Sequence, residues 1–247
     1  VDRAIIVALV RGVASKTLSH GEVSVWIRQR RQSHWFERYR DLYEAVGFAA
    51  EFQYALSQVN LGMTSLEEGI KRYAGTWFRV DQLYRKFIHR MQRSGQASLM
   101  SELFEQVENH YVNSYLLRLN DAWQVHIDGA SKWEVPGVVR QRDFYQTHVG
   151  EFRRKGQKIC VIISDAMRYE VADELLARVR ELDKYDAELQ PMLGSLPTYT
   201  QLGMASLLPN KDLQIADNET SAVIVDGQSS LGLENRKKIL AKGREGD

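Results

Sequence analysis

The sequence predicts an all-helical N-terminal domain over residues 1–153, followed over 154–247 by the first part of a mostly parallel α/β sheet flanked by helices. Three observations carry this reading. All four prolines fall at or after Pro136, so no proline interrupts the chain before it. Apolar and aromatic side chains recur through that stretch at spacings of three and four, the stripe of amphipathic helices. After residue 156 the pattern switches to the short continuous run KICVII at 158–163, as in a strand covered on both faces.

Taken in order, Val25, Trp26, Trp35, Phe36, Tyr39, Tyr43 and Val46 mark a helix or helix pair over 22–56, with Gly47 as a candidate break. A second helical segment runs over 65–91, where Ser65 followed by Glu68 makes a capping box. A third spans 98–123, and Gly62 and Gly95 stand between these segments as stops. Short turns of this kind predict helical hairpins. Beyond the basic stretch FRRKG at 152–156 comes the buried strand, then SDAMRYE at 164–170, then Val171, Ala172, Leu175, Leu176, Val179 and Leu182 at helical spacing. Strands are expected at 188–193 and 222–225, with a short helix over 201–208 between them. The resulting β-α-β-α-β order argues for parallel pairing, and 156–247 holds only part of such a domain.

Composition excludes several classes. With 33 Lys plus Arg against 32 Asp plus Glu, the net charge of +1 describes neither a nucleic-acid-coating polycation nor an acidic tail. A 44% hydrophobic, 26% charged chain is a folding sequence and not a disordered one. The single Cys160 rules out an internal disulfide framework and a thiolate zinc cluster, and suits a reducing cytoplasm. In the apolar run it is expected as a buried thiol. No apolar run reaches bilayer length and the start does not read as a secretory signal, so a cytoplasmic protein off the membrane is expected. The first residue is not Met and the last fourteen, ENRKKILAKGREGD, are strongly charged, which suggests a piece of a longer chain.

Chemistry concentrates after the apolar run. In open α/β sheets ligands lie beyond the carboxyl ends of the strands, where Asp165 falls, and a carboxylate there suits a divalent cation. Its alternative is to cap the following helix. In GSLPTYT at 194–200, Thr198 sits just ahead of a helix whose N–H groups and dipole favour phosphate. Threonine needs a base or a metal to become a nucleophile, and a cation on Asp165 would supply that help. Plain capping by Thr198 or Thr200 is the alternative.

The strand, the following DAMRYE at 165–170, and LPTYTQLGMASLLP at 196–209 together closely resemble the PglZ family, members of the alkaline phosphatase superfamily and components of BREX phage-defence systems in bacteria. WIRQRRQSHW at 26–35 is similar to the N-terminal part of the type-1 BREX member. The resemblance implies a metal-dependent phosphatase or phosphodiesterase with two ions, usually zinc, and other BREX proteins as partners. It makes Asp165 a metal ligand and Thr198 the metal-bound nucleophile, with Thr200 as fallback. The family's remaining ligands, Asp and His, come from later in the domain. Here no histidine follows His148, and after Thr200 only Asp212, Asp217, Asp226 and Asp247 remain, so half a metal site and little catalysis are expected from this chain alone.

Other signals have ordinary readings beside functional ones. RQRRQSHWFERYR at 28–40 mixes arginines with aromatics, which makes Arg28, Arg30 and Arg31 candidates for a DNA or partner surface. The outer face of an amphipathic helix would look the same. Arg168 is a candidate phosphate contact, with a salt bridge to Glu170 or Glu174 as the alternative. Asp226-Gly227 reads as a turn. The histidines show no HxH or HxxxH spacing. An alternative in a different class is a non-catalytic scaffold that binds partner proteins or DNA through its helices.

Overall fold

The computed structural model describes residues 1–217 and 219–245. Asp247, noted above among the late aspartates, lies outside them. The helices are α1 (Asp2–Ala14), α2 (His20–Arg30), α3 (Phe36–Gln58), α4 (Leu66–Arg72), α5 (Phe78–Ser94), α6 (Ala97–Asn109), α7 (Leu117–Asp128), α8 (Gly150–Arg154), α9 (Tyr169–Glu181), α10 (Thr200–Ser206) and α11 (Leu233–Glu245). Three short strands, β1 (Leu213–Ile215), β2 (Val223–Val225) and β3 (Gln228–Ser229), a 3₁₀ turn (Gln141–Asp143) and π turns at Tyr73–Trp77, His110–Leu116 and Tyr145–Val149 complete the described elements. Contacts divide the chain into two compact units, one of residues 1–130 and 169–186, the other of 131–168 and 187–247. The expected boundary at 153 falls inside the second unit, in α8.

The first unit is helical, as the proline-free periodicity predicts. Its core is built from Ile6, Leu9, Val23, Val46, Phe52, Phe87, Leu103 and Tyr115, with α3 packed most extensively on α5. Burial of these apolar faces, at about 25 cal/mol per Å², supplies the main driving force. Local signals set the helix ends. Ser19 and Glu22 form a reciprocal capping box at α2, and Ser65 Oγ accepts from Glu68 N at 3.1 Å at α4. The Glu68 carboxylate instead accepts from the Thr64 backbone and hydroxyl, so the box expected at Ser65 is half made. Gly95 ends α5 with φ of 64°, a left-handed cap that glycine adopts without Cβ strain.

Gly47 does not break its helix: α3 runs through it. A Cβ there would lie 3.1 Å from Ile27 Cδ1, so glycine allows α2 to lie close. Two π turns, Tyr73–Trp77 and His110–Leu116, interrupt the second and third predicted helices. α9 belongs to this unit, where Glu174 pairs with Arg85 at 2.5 Å and Lys86 at 3.2 Å.

Arg30, read above as a surface candidate, is drawn inward. Its Nη2 lies 2.8 Å from the buried Asp2 carboxylate, which also accepts from Tyr43 Oη at 2.7 Å. A buried carboxylate requires such partners, so this arginine is committed to structure. Burial pushes the Asp2 carboxyl up, but the Tyr43 hydroxyl and Arg30 outweigh it and hold it below the ordinary 3.8. A depressed folded-state value means stability that is present above that ordinary value and is lost as pH falls through the lower one. Urea midpoints should therefore fall on acidification below about pH 4 more steeply for the wild type than for Asp2→Asn. Parallel pH profiles of the two would remove Asp2 from the acid response.

The second unit departs from the expected parallel sheet. β1, β2 and β3 form an antiparallel meander, with Leu213 opposite Val225 and Val225 opposite Gln228. The β2–β3 turn is Asp226-Gly227, both at positive φ (48° and 80°), the geometry of a two-residue hairpin. Leu202, Ala205, Leu208, Val223, Val225 and Ile239 make its core. Residues 158–163 are not a strand and are not buried: Ile162 is 87% exposed and Cys160 is exposed with it. A central strand needs backbone partners on both edges, and the described strands pair only with one another. Residues 188–193 likewise form no strand, apart from one parallel bridge between Leu193 and Arg140. No helix among the described residues is long and apolar enough to cross a membrane.

Candidate functional site

The site is assembled from two loops and a short 3₁₀ turn, all within the second unit. After the apolar run the chain turns at Asp165-Ala166, where Ala166 takes φ of 55°, a left-handed conformation unusual for a residue with a Cβ. This turn exposes Asp165 well ahead of the first residue of α9, Tyr169, so it does not occupy the N-cap position. The second loop, 194–199, leads into α10, whose N-cap is Tyr199 without a side-chain cap hydrogen bond. Thr198 precedes that cap and Thr200 follows it. Neither threonine caps the helix, and both are exposed.

Asp165, Thr198 and Thr200 line one cleft of about 450 Å³, together with Ser164, Ser195 and Gln141. Hydroxyls and a carboxylate thus meet in one concavity beside the apolar Met167, Met204 and Leu207. Such a mixture suits a small polar group that needs orienting more than an apolar ligand.

The loop that carries Thr198 is held from three sides. Trp133 Nε1 donates to Gly194 O at 2.7 Å, and Ser195 N donates to Gln141 Oε1 at 3.1 Å. Gln141 N in turn donates to Leu193 O at 2.8 Å. Ser206 Oγ, buried in α10, donates to Leu202 O at 2.8 Å. Its single proton is used there, so Ser195 Oγ is the donor in their 2.8 Å contact. Gln141, Ser195, Ser206 and Trp133 are not legible as site residues in the sequence, because no local spacing links a 3₁₀ turn to a loop more than fifty residues later.

Arg168 is exposed at the end of the first loop and does not line the cleft. Arg28 and Arg31 are exposed on the first unit, where Trp26 and Trp35 are 43% and 52% exposed. The described residues include no group of three or more His, Cys, Asp or Glu side chains able to hold a metal ion. Asp165 and Thr198 offer two oxygen donors, fewer than the three protein ligands of a catalytic zinc site. The described residues thus do not make a two-metal centre among themselves.

Residues 144–246, which include both loops, match the family model described as the BREX system PglZ alkaline phosphatase-like domain. The chain is 34% identical over 220 residues to the alkaline phosphatase-like protein PglZ of Bacillus cereus (strain H3081.97), an alignment that covers 87% of this chain and 26% of that protein. It is 33% identical over 254 positions to the alkaline phosphatase-like protein BrxZ of Escherichia coli O9:H4 (strain HS), covering 97% of this chain and 29% of that one. The chain therefore spans between a quarter and a third of the length of these relatives. No solved structure matches it.

Proposed function

The chain belongs to the PglZ family of BREX alkaline phosphatase-like proteins, and from that premise we propose that it contributes the nucleophile and the first metal-ligand carboxylate of a phosphoester hydrolase working in bacterial phage defence. The observation that carries this reading is the convergence of Asp165 and Thr198 on one cleft, with neither used as a helix cap. A capping hydroxyl or carboxylate would be spent on backbone N–H groups; these two face open space instead.

In this reading Thr198 Oγ1 gives up its proton to solvent and attacks phosphorus as the bond to the leaving alkoxide breaks, and water then cleaves the phosphothreonine to free the phosphate and restore the threonine hydroxyl. Thr200, one residue past the cap, is the alternative nucleophile. Ser195, Gln141 and Trp133 position the loop. A divalent cation, with zinc first, belongs to the proposal through Asp165 and Thr198, and its other ligands lie outside the described residues. A mostly parallel sheet with 158–163 as its central strand also belongs to the proposal, and it would need partner strands that the described residues do not supply. Other BREX proteins are the proposed partners, phosphodiesters in DNA a proposed substrate, and the cytoplasm the proposed compartment.

The test is hydrolysis of a chromogenic phosphodiester by this chain, and by a full-length relative carrying the matching substitution, with and without added zinc. Activity that requires metal and disappears with Asp165→Ala supports the assignment; a rate indifferent to that substitution removes Asp165 from the site. A second reading, a partner- or DNA-binding scaffold, draws on the exposed Arg28, Arg31, Trp26 and Trp35 of the first unit.

A further inference from the structure

The turn between α1 and α2, the C-terminal half of α3 and the first residue of the second π turn enclose a pocket of about 360 Å³. It lies wholly in the first unit and shares no residue with the Asp165 cleft. Three features give it chemistry. Gln53 and His110 both line it, and the Gln53 Nε2 and His110 Nδ1 atoms are buried without a hydrogen-bond partner. Buried polar atoms in folded proteins are nearly always paired, so two orphans on one cavity point to a ligand's polar edge.

The second feature is a flat wall. His20 and Tyr54 stack with ring centroids 3.9 Å apart and planes 23° from parallel, and Tyr54 remains 49% exposed. A planar ring entering the pocket finds an aromatic face already fixed by this stack, with the apolar Leu18 and Ala50 beside it. The third feature is charge. Lys16 lies at the rim with its backbone fixed at φ of 57° by N–H donation to Val13 O at 3.1 Å, and no carboxylate is among the lining residues.

We propose that this pocket binds a nucleoside monophosphate. The base lies along the wall of Tyr54 and Ala50, its donor and acceptor edge meets Gln53 and His110, and the phosphate is held by Lys16. An amide and an imidazole from one pocket lining can match the donors and acceptors of a base edge. A bare aromatic acid would satisfy the ring and the charge but would fill only part of 360 Å³. The proposal is independent of the chemistry assigned to Asp165 and Thr198.

Isothermal titration of this chain with AMP, GMP, CMP and UMP tests it, with adenosine and inorganic phosphate as separate arms. At least one nucleotide should saturate with Kd on the order of 100 μM, more tightly than the nucleoside, while phosphate alone shows no saturation. Gln53→Leu should weaken the nucleotide at least about tenfold. Lys16→Gly removes the ammonium from an exposed site whose φ suits glycine, and should weaken the nucleotide but not the nucleoside. Asp165→Ala should bind as the wild type does. The proposal falls if no nucleotide saturates up to about 1 mM, if binding ignores both Gln53→Leu and Lys16→Gly, or if Asp165→Ala abolishes it and so places the ligand in the other cleft.

Discussion

On the reading proposed above, the alanine substitution matching Thr198→Ala in a full-length relative is expected to lower metal-dependent phosphodiester hydrolysis by about a thousandfold or more, equivalent to about 4 kcal/mol of transition-state stabilisation. The substitution removes one exposed hydroxyl from a loop whose position is set by other groups: Trp133 on Gly194, Gln141 on Ser195, and Ser195 on Ser206. Folding should therefore be unchanged, and the loss belongs to chemistry. Thr198→Ser keeps an oxygen at nearly the same place and should retain a measurable fraction of the rate. Thr200→Ala, at the first residue of α10, should leave the rate within a few-fold of wild type. Mass spectrometry of acid-quenched enzyme should find phosphate on the peptide that carries Thr198. If Thr198→Ala turns over normally and Thr200→Ala does not, the nucleophile is Thr200; if both turn over normally, neither loop threonine is the nucleophile.

Asp81→Ala should destabilise the first unit by about 3–5 kcal/mol, among the largest effects open to a single substitution. Asp81 is 3% exposed and its carboxylate accepts from the hydroxyls of Tyr73 at 2.8 Å, Tyr111 at 2.7 Å and Tyr115 at 3.1 Å. Two of those tyrosines come from the second π turn and one from the first, so a single carboxylate ties together both irregular segments. Each π turn gives up regular i→i−4 bonding locally, a cost that the tertiary contact offsets. Burial, and after it the neighbouring Asp81 charge, pushes the Tyr115 hydroxyl far up, so it remains a donor through the physiological range. Alanine would take this acceptor from the Tyr73 and Tyr111 hydroxyls, at about 1–3 kcal/mol for each one that finds no substitute, whereas the Tyr115 hydroxyl also reaches Trp77 O at 2.9 Å and keeps an acceptor there. Asp81→Asn preserves one acceptor oxygen and should cost less, and Tyr73→Phe, which removes a single donor, about 1 kcal/mol. Denaturation midpoints read this order directly; a loss under about 1 kcal/mol for Asp81→Ala would show that the cluster rearranges freely.

What is legible in the sequence is local. Stripes at three- and four-residue spacing place α2, α3, α5 and α6, because a helix bonds each residue to one four away. Ser65 and Gly95 mark ends for the same reason: a cap and a left-handed turn depend on residues within one turn of the chain. Asp226-Gly227 reads as a turn from its residue types, and the structure makes it the two-residue turn of a hairpin with positive φ at both positions. The motifs at 165–170 and 196–209 bring Asp165 and Thr198 forward through the family resemblance they carry, with Thr200 as the fallback.

What is not legible depends on partners far away in the chain. The apolar run 158–163 looks like a central strand from within, but a strand exists only where other backbone pairs with it, and in this structure none of the described residues does so. Arg30 reads as one arginine among several in a basic stretch, and only the fold brings it to Asp2. Gln141 and Ser195 carry no motif, yet their hydrogen bond positions the loop that presents Thr198. Residue type and spacing thus set the helices, caps and turns, whose hydrogen bonds close over a few residues. Which carboxylate is buried, which arginine is spent on it and which hydroxyls meet across a cleft follow from packing, because only a folded chain brings distant side chains within bonding distance of one another.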